Sequence, residues 1–371
     1  MVLSKITPIL VLSLFLWEAC KNKEDPHNQG GEIIGQNLIS YPNEKYFTNV
    51  RQLTFGGNNA EAYWSFDGSL LCFQSDFKGW NVSCDQIFYF NPDKDSLAQQ
   101  PPTLISKRGG RTTCSYFLPG DSLIIFASTH GVDEKCPQVP ERKKGGKYLW
   151  PVYGSYEIYV NDLKGNLRRQ YTHNNFYDAE ATVSPKGDKI VFTSDRSGDL
   201  ELWIMDIDGR NQKQITNLLG YDGGAFFSPD GKKLVFRASR PTGEEEIKEY
   251  KDFLAQGLVQ PTKMEIYTCN VDGSDLQQIT KLGKANWAPY FTPDGTRIIF
   301  SSNHAGSKGF NFNLFLIHVD GSELEQVSFD PVFDSFPMFS PDGKRIAFSS
   351  NRNNQGTHDT NLFIANWIDT N

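Results

Sequence analysis

The side chains able to do chemistry in this chain fall into two sets. One follows apolar runs and is mostly cationic or amide-bearing: Asp195-Arg196, Arg237 with Arg240, Asn303-His304 and Asn351-Arg352. The other precedes apolar runs and is acidic or aromatic: Glu61, Tyr177-Asp178 with Glu180, Tyr221-Asp222, Asn286-Trp287 and Asp334. Converging carboxylates hold a divalent cation or the basic groups of a ligand. Arginines facing them either bind an anionic ligand or pair with the acids of adjacent repeats. His130, His304 and His173 with Cys136 make a further, weaker metal set, whose spacing matches no zinc motif. A divalent cation is therefore the one cofactor left open, and no metal ligand is assigned. No catalytic residue is assigned either, because the sequence holds neither a Gly-x-Ser-x-Gly elbow nor a His-Glu-x-x-His helix. Gly120-Asp121-Ser122-Leu123 spells a hydrolase-like signature, but it reads as a turn running into a strand.

These residues must be positioned by a repeat. Phe339 to Phe348 reads as a β-hairpin around Ser340-Pro341-Asp342-Gly343. Proline presets φ, aspartate bonds its own backbone, and glycine accepts positive φ. The frame recurs at Phe227–Phe236, Phe291–Phe300, Val183–Phe192, Phe117–Phe126 and Trp64–Phe73. A third strand, an Asp-x-Asp-Gly-like turn and a fourth strand follow, as in Glu201 to Gly209 leading to Gln214-Ile215-Thr216. Each unit is thus four antiparallel strands, A to D. The shortest spacing, Gly187 to Gly231, is 44 residues, the length of one propeller blade at about 40–45.

The last unit ends on strand C at Leu362–Trp367, and Arg51–Thr54 is a strand D with nothing before it. One orphan completes the other. The expected fold is an all-β, six-bladed β-propeller of four-stranded antiparallel blades, closed by the N-terminal strand pairing into the C-terminal blade. Closure removes sheet edges that invite aggregation.

The Ser-Pro-Asp-Gly-Lys frames, Asp-x-Asp-Gly turns and Gln-Ile/Leu-Thr ends resemble the TolB-type six-bladed propeller family over about residues 47–368. TolB carries an α/β domain before its propeller, and this sequence has no room for one. Tricorn-like and prolyl-peptidase propellers share the repeat but add a hydrolase domain that is also lacking.

Alternating strands put the short A–B and C–D turns on one face and the B–C and D–A loops on the other. Only the second face varies, with insertions at about 129–155 and 239–263. Variable loops on one face mark the binding surface of a repeat protein. Its members are Glu61, His130, Trp150, Asp178, Glu180, Arg196, Asp222, Arg240, Asn286, Trp287, His304, Asp334 and Arg352, with the acids of strand A expected to ring the channel mouth. The first insertion carries Arg142, Lys143, Lys144 and Lys147 before Tyr148 to Tyr153. In the second, Ile247, Tyr250, Phe253 and Leu254 are spaced for a short amphipathic helix over the rim.

Residues 1–20 read as a signal peptide, with Ala19-Cys20 resembling a lipobox that would lipidate Cys20. Residues 21–46 read as a flexible tether and 47–371 as the propeller. Export permits disulfides, and Cys114–Cys136 is the expected pair. A net charge of −7 argues against nucleic acid. The function expected is that of a non-enzymatic, monomeric cell-envelope lipoprotein, periplasmic or outer-membrane, touching the membrane only through its lipid. Its loop face would bind a protein or peptide partner. The alternative is a metal-assisted sugar lyase or hydrolase working at the channel mouth.

Overall fold

In a computed structural model, which describes residues 39–139 and 146–369, each Pro-Asp-Gly frame is the A–B hairpin of a four-stranded antiparallel blade. The six A strands are Asn59–Trp64, Thr112–Phe117, Asp178–Val183, Asp222–Phe227, Asn286–Phe291 and Asp334–Phe339. They define blades 1 to 6. The B strands are Leu71–Ser75, Leu123–Ser128, Lys189–Ser194, Lys233–Ala238, Arg297–Ser302 and Arg345–Ser350. The C strands begin at Gln86, Glu157, Glu201, Glu265, Asn313 and Asn361.

Closure occurs as expected. Phe47–Gln52 pairs antiparallel with Asn361–Trp367, with Phe47 opposite Trp367 and Gln52 opposite Phe363. The N-terminal strand is thus strand D of blade 6. Residues 39–46, expected to end a flexible tether, instead pack onto that blade. Tyr46 is buried and stacks on Trp367 at 4.9 Å, and the Tyr41 hydroxyl donates to Asp330 at 2.7 Å. A buried aromatic and paired polar groups repay the cost of ordering this stretch. Arg142, Lys143, Lys144, the leader and Cys20 lie outside the described residues.

Between blades the core draws on A-, B- and C-strand side chains, with Phe73, Phe126, Phe192, Phe236, Phe300 and Phe348 each buried on strand B. The turns interlock as well. A Cβ on Gly343, whose φ is +69°, would sit 2.8 Å from Pro293 of the preceding turn. Only glycine meets both demands there. In the scrambled turn of blade 2, Asp121 takes the left-handed conformation with φ 54°. Its carboxylate accepts from the Phe66 and Asp67 amides of blade 1 at 2.8 and 3.0 Å.

Candidate functional site

Three of the A-strand acids do not ring a mouth. Asp178, Asp222 and Asp334 are the first residues of their strands and are fully buried. Each is held by an arginine 18 residues later, in the B–C loop of the same blade. Arg196 donates to both oxygens of Asp178 at 2.7 Å, Arg240 to Asp222 at 2.5 Å and Arg352 to Asp334 at 2.9 Å. The pairing is within blades, neither left open for an anionic ligand nor made with the acids of adjacent repeats. Each guanidinium also lies over the third residue of strand C: Trp203 at 4.9 Å, Tyr267 at 5.0 Å and Phe363 at 5.8 Å. In blade 5 the same positions are Asn286, His304 and Phe315, linked through Ser302. In blade 2, His130 lies against Tyr159 at 4.1 Å with the rings tilted by 40° and bonds Ser128. In blades 3 to 6 this latch pins the start of strand A to the loop after strand B. Stripping one partner from a buried ion pair leaves the other charge uncompensated.

His130 and His304 therefore sit at separate latch positions, and His173 bonds the Gln170 carbonyl after strand D of blade 2 at 3.2 Å. Burial lowers the pKa of His130 to about 4 and also lowers that of His304. Cys136 is bonded to Cys84, which corrects the Cys114–Cys136 pairing. Cys84 lies in the B–C loop of blade 1, beside the insertion. Cys114 sits inside strand A of blade 2, next to Glu61 in the channel. Among the described residues no three His, Cys, Asp or Glu gather to hold a metal ion.

What lines the axis is set by a bulge that recurs in every A strand. The register with strand B shifts between the second and fifth residues in all six blades. The third residue takes positive φ each time: Glu61, Cys114, Glu180, Gly224, Ala288 and Phe336. Bulges re-aim side chains, and here they bring these six together around one small cavity. Glu180 is fully satisfied there. It accepts from Arg237, from the Tyr221 hydroxyl at 2.9 Å, from Thr193 at 2.7 Å and from the Gly224 amide at 2.8 Å. Burial is the largest single influence and would raise its pKa, but the Arg237 charge together with the hydrogen bonds from Thr193, Tyr221 and Arg237 holds it below the usual carboxylate range. Glu61 has weaker company. The Tyr63 hydroxyl donates to it at 3.3 Å, and burial pushes its pKa to about 7.

The loop-side end of this axis is covered. Trp150–Pro151 of the first insertion pairs antiparallel with Leu258–Val259 of the second. Trp150 then lies 5.5 Å over Arg237 and 5.1 Å from Trp287. The expected helix runs from Gly243 to Leu254, and its Tyr250 bonds Asp199. The two insertions form one cap, anchored by Lys147 on Glu249.

Of the residues predicted for the site, Glu61 and Glu180 line the channel, and Trp150 and Trp287 belong to the cap and its seat. Asp178, Asp222, Asp334, Asn286, Arg196, Arg240, Arg352, His130 and His304 build latches. Sequence reasoning overlooked Cys114 as a channel residue, the ring partners Gly224, Ala288 and Phe336, and the aromatics Tyr63, Tyr116, Phe226 and Tyr290. Each of those aromatics stands one residue before the repeated frame, and that offset is the signal.

A closed ring of six four-stranded blades with these turns is a TolB-like six-bladed β-propeller. Residues 254–358 match the TolB beta propeller domain. A putative TolB from Agrobacterium tumefaciens superposes with a TM-score of 0.55 at 21% identity, over 85% of this chain and 91% of that one. A gluconolactonase from Xanthomonas campestris gives 0.55 at 12% identity, over 87% and 91%. TolB from Acinetobacter baumannii gives 0.50 at 17% identity over 84% of this chain, which spans 64% of its length. No curated protein matches the sequence. These likenesses establish the fold and leave activity to the site.

Proposed function

We propose that this protein is a non-enzymatic, exported cell-envelope propeller, monomeric and held to a membrane through lipid on Cys20. Its loop face binds a protein or peptide partner. The observation that carries the reading is where large apolar side chains stay exposed. Among the described residues there are eleven, and eight belong to loop-face segments: Ile39, Phe55, Val132, Val139, Tyr148, Phe176, Leu218 and Phe310. Exposed apolar side chains gathered on one face mark an interaction surface, and aromatic anchors dominate binding energy. A cavity of about 450 Å³ between Tyr148, Trp287, Phe310, Phe312 and Phe333 gives an anchor somewhere to sit. Asp178, Asp222 and Asp334 are each spent on a latch arginine, which disfavours the lyase or hydrolase alternative.

The test is capture of cross-linked partners from detergent-solubilised envelope by the wild type and by a Phe310→Ser, Leu218→Ser variant. Both positions are about half exposed, so folding should be kept. Loss of the captured band with an unchanged melting temperature supports this face. Undiminished capture overturns it.

A further inference from the structure

The turn-face end of the axis is a blind basin of about 320 Å³. The turn prolines of blades 3 to 6 frame its mouth, and the ends of four A strands, Trp64, Phe227, Phe291 and Phe339, wall it. Its floor is made of rings that meet across the axis. Tyr63 of blade 1 lies 5.7 Å from Phe226 of blade 4, and Tyr116 of blade 2 is hydrogen-bonded to Tyr290 of blade 5. These rings close the basin off from the cavity at Glu61. An apolar cavity of about 150 Å³ holds one benzene ring, and the basin, at about 320 Å³, has room for two fused rings.

The polar side chains of the walls are spent. The Trp64 indole N–H donates to the Met338 carbonyl at 3.3 Å. The Ser65 and Ser340 hydroxyls donate to the turn aspartates Asp67 and Asp342 at 2.7 and 2.6 Å. The floor differs. Tyr116 and Tyr290 each carry one hydroxyl hydrogen, and their mutual bond uses only one of the two. Among the described residues the other has no acceptor. Both phenols are neutral at pH 7, because burial pushes Tyr290 up to about 12 and holds Tyr116 well above its ordinary value. Among the described residues no charged side chain lines the basin. None of the eleven exposed large apolar side chains borders it either. The apolar surface at this end lies inside the basin and not around it. That suits a small molecule and gives a macromolecule nothing to spread over.

We propose that the basin binds a small, neutral, fused-ring aromatic molecule bearing one oxygen acceptor. The molecule enters from the turn face and lays its rings against the wall aromatics, and its oxygen accepts the open O–H of the tyrosine pair. Offset and edge-on ring contacts add to the burial. Complementarity of charge requires a neutral ligand, because an ionised one would lose its water with no counter-charge beside it. The site lies on the face opposite the proposed partner surface and does not depend on that reading.

The full exported chain is equilibrated by dialysis at pH 7 with 2-naphthol, which is neutral at that pH, with naphthalene and with the 2-naphthoate anion. The expected result is one saturable site for naphthol, binding of naphthalene about threefold to tenfold weaker, the size of one neutral hydrogen bond, and no binding of naphthoate. The double variant Tyr116→Phe, Tyr290→Phe keeps the rings and removes the hydroxyls, so it should hold naphthol no better than naphthalene. Val183→Phe, which enlarges a wall residue, should weaken both. Melting temperature and circular dichroism establish that each variant is folded. No saturable naphthol site on the wild type, or naphthoate bound as well as naphthol, overturns the proposal. So does undiminished binding to folded Val183→Phe, or an undiminished preference for naphthol in the folded double variant.

Discussion

Arg352 and Asp334 meet at 2.9 Å inside blade 6, and neither side chain is exposed. The same guanidinium reaches Glu44 at 2.9 Å and the Ile39 carbonyl at 3.0 Å. One residue thus ties the inner strand of the last blade to the segment that leads into the closing strand. Arg352→Leu strands two buried carboxylates. It should cost about 3–5 kcal/mol, the usual penalty for breaking a buried pair. Urea unfolding checks the loss. Hydrogen exchange should show it concentrated at residues 39–52.

Gly224 lies where a Cβ would overlap the Arg237 guanidinium, and its φ is +61°. Gly224→Ala should therefore displace Arg237 and leave Glu180 buried without its cation. The expected outcome is a loss of more than about 2 kcal/mol, against about 1 kcal/mol or less for an alanine where the space is open. Gly198→Ala is the comparison, since its φ is also positive and no atom lies within 4 Å of its Cβ position. Equal losses would remove Arg237 from the explanation.

Glu201 and Asp222 are buried carboxyls whose titrations are linked across the seam between blades 3 and 4, beside Arg240. Burial raises Glu201 to about 8 and Asp222 to about 6. In both, the folded protein binds a proton more tightly than the unfolded chain. Stability from these groups is present below pH 4 and is lost as pH rises through 6 and 8. Melting temperature should fall over that window. Glu201→Gln should flatten the fall, and an unchanged slope would exclude the pair as its cause.

The cap makes a coupled prediction. Tyr250→Ala removes the bond to Asp199 and contacts under the helix. Exchange should rise in residues 255–263 and also in 146–153, because the two insertions share one ladder. A rise confined to the mutated insertion would mean that the strands do not hold each other.

Thiol chemistry separates the two disulfide pairings. Cys84→Ser should free the Cys136 thiol and loosen the first insertion, while Cys114→Ser should leave the bond intact. Labelling of unfolded, unreduced protein followed by peptide mapping reads this out. Stability should drop by about 2–4 kcal/mol for Cys84→Ser.

The repeated frame determined the blade count, the strand order and the closure, because turn chemistry and apolar alternation are local and act on adjacent residues. The helix of the second insertion was legible for the same reason. The latch was also present in the sequence, as an acid and a cation 18 residues apart in blades 3, 4 and 6. Its meaning was not, since spacing alone does not say whether Asp178 faces the axis or the seam. That choice is made by the bulge, which turns Glu180 into the channel and leaves Asp178 beside Arg196. Tertiary structure alone decided that the insertions of blades 2 and 4 pair with one another, that Cys136 finds Cys84, and that Glu61, Glu180 and Arg237 meet at one cavity. Each depends on distances between segments far apart in the chain, and those distances exist only once the ring is closed.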